Sequence, residues 1–170
     1  MLRLSAVPPF TSIGGYSKLA KASVDKILYT ADRSKRAIYD LARMSNCQLI
    51  CQNYEDTEEP TIFYTATEWN RYICDSQFSF AFGSRFHGNM MALRNKVPTL
   101  WIVHDWRTLE LVQYLGLPYL DYYSDKFQKI KYIEELLEYC DYSEVYKRYP
   151  KLHERYCDFM RKNFDEEFRK

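Results

Sequence analysis

Phe78-Ser79-Phe80-Ala81-Phe82-Gly83-Ser84-Arg85-Phe86-His87-Gly88-Asn89 leads, through Met90 to Arg94 and then Val97-Pro98, into Thr99-Leu100-Trp101-Ile102-Val103. Ser79 to Phe82 is an apolar, aromatic run of strand length. Met90, Met91, Ala92 and Leu93 are strong helix formers, so Asn89 to Arg94 reads as a helix whose first turn lies near His87 or Gly88. Thr99 to Val103 is the clearest buried strand in the chain. Strand, helix, strand is a βαβ unit, and it predicts a parallel sheet with helices against its faces.

The pattern extends outward from this unit. Thr108 to Leu115 resumes helical spacing through Leu109, Val112 and Leu115, and Gly116 with Pro118 ends it. Upstream, Ser34 to Met44 places Ile38, Leu41 and Ala42 on one helical face, with Ser34 as an expected N-cap. Gln48 to Cys51 has strand length, Asn53 to Pro60 is an acidic turn, and Thr61 to Thr65 is rich in β-formers. A helix over Ala66 to Cys74 should turn Trp69 and Ile73 inward. Between Met1 and Lys26, Pro8-Pro9 and Gly14-Gly15 interrupt any pattern, leaving a short strand at Leu2 to Ala6. After Asp125, Phe127, Ile130, Ile133, Leu136 and Leu137 predict one amphipathic helix. A last helix from about Pro150 to Phe164 should turn Leu152, Tyr156, Phe159 and Met160 inward. The expected fold is therefore α/β: a single Rossmann-like three-layer domain over 1–125, with C-terminal helices over 126–170 packed on it.

At 170 residues the chain has the size of one domain, and no repeat or linker divides it. Its 24 Lys and Arg balance 23 Asp and Glu, so nothing points to nucleic acid or another highly charged polymer, and any anion binding must be local. No apolar run approaches the ~20 residues of a membrane span, and the N-terminus lacks the apolar core of a secretory signal; a cytoplasmic protein is expected. Five cysteines without a CxxC pair and only three histidines argue for reduced, packed thiols rather than a disulfide framework or a zinc site.

In an open parallel sheet, ligands bind outside the carboxyl ends of the strands. Three such ends carry polar groups: Gly83, Ser84, Arg85 and His87; His104, Asp105 and Arg107; and Asn53 with Glu55. Gly83 permits a tight turn into a helix whose N-terminal amides and dipole favour an anion. Arg85 supplies a bidentate fork for phosphate or carboxylate, and His87 a hydrogen bond or a proton. Gly88 should keep the turn open for a ligand to approach. Trp106, just past a strand end, is the better placed of the tryptophans to stack on a sugar, whereas Trp101 reads as core.

The segment from Phe78 to Pro118 resembles the signature region of the polysaccharide pyruvyl transferases, at Gly83, Arg85, His87, Gly88, Ala92, Val97, Pro98, Asp105, Arg107 and the Gly-Leu-Pro of 116–118. The resemblance covers about a quarter of the chain strongly. It implies the C-terminal half of a two-domain enzyme of glycosyltransferase-B-like architecture, and hence a missing N-terminal half as a partner. It implies transfer of the pyruvyl unit of phosphoenolpyruvate, with no cofactor, onto two hydroxyls of a glycan or lipid-linked sugar, giving a cyclic ketal and inorganic phosphate. Such an enzyme acts in exopolysaccharide or cell-surface glycan biosynthesis, at the inner face of the membrane. On this resemblance Gly83, Ser84, Arg85, His87, Gly88 and Arg107 bind substrate. His87 also serves proton transfer. Asp105 is the expected catalytic carboxylate, with His104 and Glu55 as other bases. Two further readings stay open: the donor-binding half of a glycosyltransferase that uses sugar nucleotides, and a non-catalytic interaction module built on the Tyr-rich C-terminal helices.

Overall fold

The computed structural model describes residues 26–30, 35–45, 47–51 and 61–164. Six strands form one sheet in which every pairing is parallel: β1 (Ile27–Thr30), β2 (Gln48–Cys51), β3 (Thr61–Ile62), β4 (Phe80–Gly83), β5 (Thr99–Val103) and β6 (Tyr119–Asp121). Their order is β3-β2-β1-β4-β5-β6. The helices between them are α1 (Arg36–Met44), α2 (Ala66–Ser76), α3 (Phe86–Arg94) and α4 (Trp106–Leu115). This is the doubly wound order of a Rossmann-like domain, in which the chain builds outward in one direction from β1 and then in the other from β4.

Alternation along the strands assigns the helices to two faces. Ile27 and Tyr29 of β1, with Phe80 and Phe82 of β4, join Ile38, Leu41 and Ala42 of α1 in one cluster. Leu28 and Ala81, the residues between them, join Ile50, Ile73 of α2 and Ala92 of α3 in another. The three layers expected from the sequence are therefore present. The expected inward residues of α1 are the buried ones, whereas on α2 Ile73 is buried and Trp69 half-buried. Thr65 and Glu68 close a capping box at the start of α2, and Gly116 ends α4 in the left-handed conformation at φ 72°. The expected cap Ser34, the strand at Leu2 to Ala6 and the turn at Asn53 to Pro60 lie outside the described residues.

Several expectations are corrected. The sequence pattern predicts no element at β1, beside β4 in the centre of the sheet, nor at β6, which follows the Gly116 and Pro118 that end α4. The run 61–65 forms a strand only over Thr61–Ile62, because Thr65 turns to cap α2. The single helix expected around Phe127 to Leu137 is instead α5 (Asp125–Gln128) followed by a 3-10 helix (Ile133–Tyr139). Its apolar positions 127, 130, 133 and 136 recur every third residue, which suits three residues per turn better than 3.6. The last helix, α6 (Ser143–Asn163), begins seven residues before Pro150 and runs through that proline, which stands on its exposed side. Of α6 only Val145 is buried; Leu152 and Met160 are half-buried, and Tyr156 and Phe159 are 51% and 56% exposed rather than turned inward. No helix among the described residues is long and apolar enough to cross a membrane.

The sheet is anchored to the C-terminal segment through a buried tyrosine. The Tyr142 hydroxyl accepts from the Thr99 amide at 2.7 Å and donates to the Thr99 carbonyl at 2.8 Å, where β5 begins. Both groups are buried, so Tyr142→Phe leaves two backbone groups without this partner. It should lower unfolding stability by about 1–3 kcal/mol in urea titration.

Cys47 and Cys140 are buried thiols, and burial foremost pushes each up from the ordinary 9.0 to about 12. In Cys47 the Glu134 carboxylate adds to that rise, whereas in Cys140 hydrogen bonding to Tyr142 and Thr99 opposes it. The unfolded chain therefore loses these protons first, so their contribution is full below pH 9.0 and is lost as pH rises toward about 12. Urea midpoints measured across that interval should fall with pH, and less steeply in Cys140→Ala.

Candidate functional site

The reversal of winding direction falls between β1 and β4, whose last residues, Thr30 and Gly83, are paired in register. Their carboxyl ends border the crevice where doubly wound sheets bind ligands. The Gly83 to Gly88 segment thus stands at the switch point of the sheet. Gly83 has φ +149°, and a Cβ there would overlap the Thr30 hydroxyl and lie 2.5 Å from the Thr30 carbonyl oxygen. Only glycine lets β4 end against β1 in this way.

Ser84 is buried, and half-buried Arg85 occupies the N-cap position of α3 in extended conformation, with no side-chain cap there. The first turn of α3, Phe86 to Gly88, accordingly presents its backbone N–H groups at the crevice. His87 is exposed two residues beyond Arg85, its ring edge-on to Phe86 at 5.9 Å. Phe86 in turn packs at 6.1 Å from the fully buried Trp101 of β5, in the core as expected.

Gly88 has a different role from the one its spacing suggested. It is buried, and a Cβ there would meet Thr30 Cγ2 at 2.9 Å and Thr30 Cβ at 3.0 Å. The space it vacates is filled by β1 and is not open to a ligand; Gly88 permits close packing of helix on strand. A residue the sequence reading passed over lies next to it. Asn89 is completely buried, donates from Nδ2 to the Gly83 carbonyl at 2.8 Å and accepts at Oδ1 from the Thr30 hydroxyl at 2.6 Å.

At the neighbouring end of β5, Asp105 caps α4: its carboxylate accepts from the Thr108 amide at 2.8 Å and the Thr108 hydroxyl at 3.1 Å. It also lies 3.3 Å from His104 Nε2, on a ring only 19% exposed. Burial pushes the Asp105 carboxyl up, but the Thr108 bonds, the His104 charge and the Arg107 amide outweigh it and hold the group below its ordinary value. Arg107 and Trp106 are exposed in the first turn of α4, Trp106 by 77%. The structure therefore places the β4 and β5 residues on adjacent strand ends of one rim, while Asn53 and Glu55 lie outside the described residues. A cleft of about 450 Å³ lined by Gln113, Pro118, Tyr119, Glu144 and Arg148 lies at the amino end of the edge strand β6, away from the carboxyl-end rim. Among the described residues no three His, Cys, Asp or Glu side chains are grouped to hold a metal.

Compared with protein-family models, curated proteins and solved structures, the chain matches none. The likeness to pyruvyl transferases rests on the residues quoted from the sequence alone; of these Gly83, Arg85, His87, Asp105 and Arg107 stand at the carboxyl ends of β4 and β5, and Gly116 to Pro118 at the amino end of β6.

Packing at Gly88 makes a direct prediction. Gly88→Ala should cost about 1–3 kcal/mol of unfolding free energy through overlap with Thr30. In a Thr30→Ser background, which removes Cγ2, the same substitution should cost measurably less in a double-mutant cycle.

Proposed function

We propose that this domain binds phosphoenolpyruvate and serves pyruvyl transfer to a sugar, as the donor-binding half of a polysaccharide pyruvyl transferase. The observation that carries the reading is the position of Gly83-Ser84-Arg85-Phe86-His87-Gly88 at the switch point of the sheet, with Arg85 at the N-cap of α3. Phosphoenolpyruvate carries a phosphate and a carboxylate on a three-carbon frame, and both anions suit a guanidinium beside free helix amides.

The overall reaction fixes what the residues must do. Two sugar hydroxyls each lose a proton and bond to the central carbon of the enol. One proton goes to the methylene carbon, making it methyl, and the other leaves with phosphate as the carbon–oxygen bond to phosphorus breaks from carbon. Arg85 holds the donor anion, and His87, exposed beside it, hydrogen-bonds the same anion and delivers a proton. Arg107 adds positive charge on the β5 side, and Trp106 offers a face for the acceptor ring. Asp105, tied to Thr108 and kept anionic, serves better to orient His104 than to accept a proton itself. The acceptor is a glycan or lipid-linked sugar, and the place of action the inner face of a membrane.

The half-exposed aromatics Tyr156 and Phe159 of α6 favour a second reading, in which this helix docks another protein. It competes with the first only if the crevice binds nothing.

Calorimetry with phosphoenolpyruvate and with nucleotide sugars tests the proposal. Wild type should bind phosphoenolpyruvate; Arg85→Ala should weaken it roughly 10–100-fold, the worth of a charged hydrogen-bonded pair, and His87→Ala about tenfold. Binding of a sugar nucleotide through Arg85, with phosphoenolpyruvate ignored, would replace this reading with a glycosyltransferase donor domain.

A further inference from the structure

Asn89 has no role in the reading so far, yet its environment is unusual for a residue in the first turns of a helix. Its side chain is wholly buried, where an amide is costly unless its hydrogen-bonding groups are used. Nδ2 donates to the Gly83 carbonyl at 2.8 Å, with the Leu100 carbonyl of β5 at 3.4 Å, and Oδ1 accepts from Thr30 Oγ1 at 2.6 Å. Both carbonyls can only accept, so the amide orientation is dictated chemically. The Thr30 hydroxyl has one proton, and Asn89 at 2.6 Å outcompetes the Phe82 carbonyl at 3.4 Å for it. One side chain thus links the ends of β1, β4 and the middle of β5, the three adjacent strands around the switch point.

We infer that Asn89 is the positioning residue of the crevice, fixing the height and rotation of the start of α3 so that Arg85 and His87 face the bound anion. Asn89 lies four residues after Arg85 and its amide donates to the Arg85 carbonyl at 3.1 Å, so the side chain and main chain of one residue tie the cap to the sheet. Packing alone would be served by an apolar side chain such as leucine, which has the same branching and no polar group. The amide is needed where the carbonyl of Gly83, in its left-handed turn, must be held in a single direction. A tilt of the first turn of α3, pivoting about the buried Ala92 and Leu93, would move Arg85 and His87 relative to the strand ends.

The inference rests on the reading of this rim as a phosphoenolpyruvate site, and the experiment separates the two. Asn89→Leu is compared with Val112→Ala, a buried change on α4 away from the rim. Two readouts are taken at matched loss of stability: the Kd for phosphoenolpyruvate, and hydrogen exchange of the peptide spanning residues 80–89, which needs no ligand. Asn89→Leu should weaken binding at least tenfold and speed exchange across that peptide, and Val112→Ala should do neither. Equal behaviour of the two variants, or binding by Asn89→Leu within twofold of wild type, overturns the inference. Failure of wild type to bind phosphoenolpyruvate overturns the parent reading alone, and exchange then decides whether Asn89 fixes the turn. Should Asn89→Leu not fold, Asn89→Ala, which removes the amide without adding volume, takes its place and is judged by the same outcomes.

Discussion

Thr30 is held from three sides at once. Gly83 ends β4 against it, Gly88 brings α3 down onto its methyl group, and Asn89 takes its hydroxyl proton. Each contact depends on the others. A side chain at either glycine would push β4 or α3 away from β1, and separation of a few tenths of an ångström would lengthen the Asn89 bonds that fix the strand ends. The two halves of the doubly wound sheet are hydrogen-bonded to each other here, through the pairing of β1 with β4. Close approach at this joint is thus a condition of the fold and of the crevice together.

The same joint separates what was readable in the sequence from what was not. β4, α3 and β5 were readable because each has a local cause: apolar runs of strand length on either side of strong helix formers. β1 was missed because its apolar run is only Ile27-Leu28-Tyr29, and neither Gly nor Pro marks its ends as Gly83 marks the end of β4 and Pro98 the start of β5. Gly88 was read as room for a ligand. Spacing alone shows that a side chain is absent, but whether the vacated space faces solvent or another strand depends on β1, the very element that was missed. Asn89 was invisible for the same reason, since two of its three partners are brought beside it only by strand pairing.

Toward the C-terminus the failures have a different origin. The residues 127, 130, 133 and 136 gave the right apolar set and the wrong helix, because three- and four-residue spacings overlap over a short run. In α6 the stripe through Leu152, Tyr156 and Phe159 is a genuine helical face, but periodicity reports only that residues share a side. It says nothing of whether the domain extends far enough to cover that side. Val145 near the start of α6 meets the core, and by Tyr156 the same helix has left it.

The chemistry of the rim follows from how its charged groups are held. Asp105 is fixed by the very hydrogen bonds that begin α4, and those bonds lower its proton affinity. A carboxylate in that state is a stable negative charge, suited to orienting His104 and unsuited to taking a proton from a sugar hydroxyl. The start of α3 differs: Arg85 is its N-cap through the main chain, its side chain makes no capping bond, and His87 is exposed in the first turn. The two strand ends therefore differ: the β5 end spends its carboxylate on starting α4, whereas α3 after β4 starts without a side-chain cap. On the proposed pyruvyl-transfer reading, Asp105 is already committed to the start of α4, and the groups left to carry a proton at the two strand ends are the imidazoles of His87 and His104.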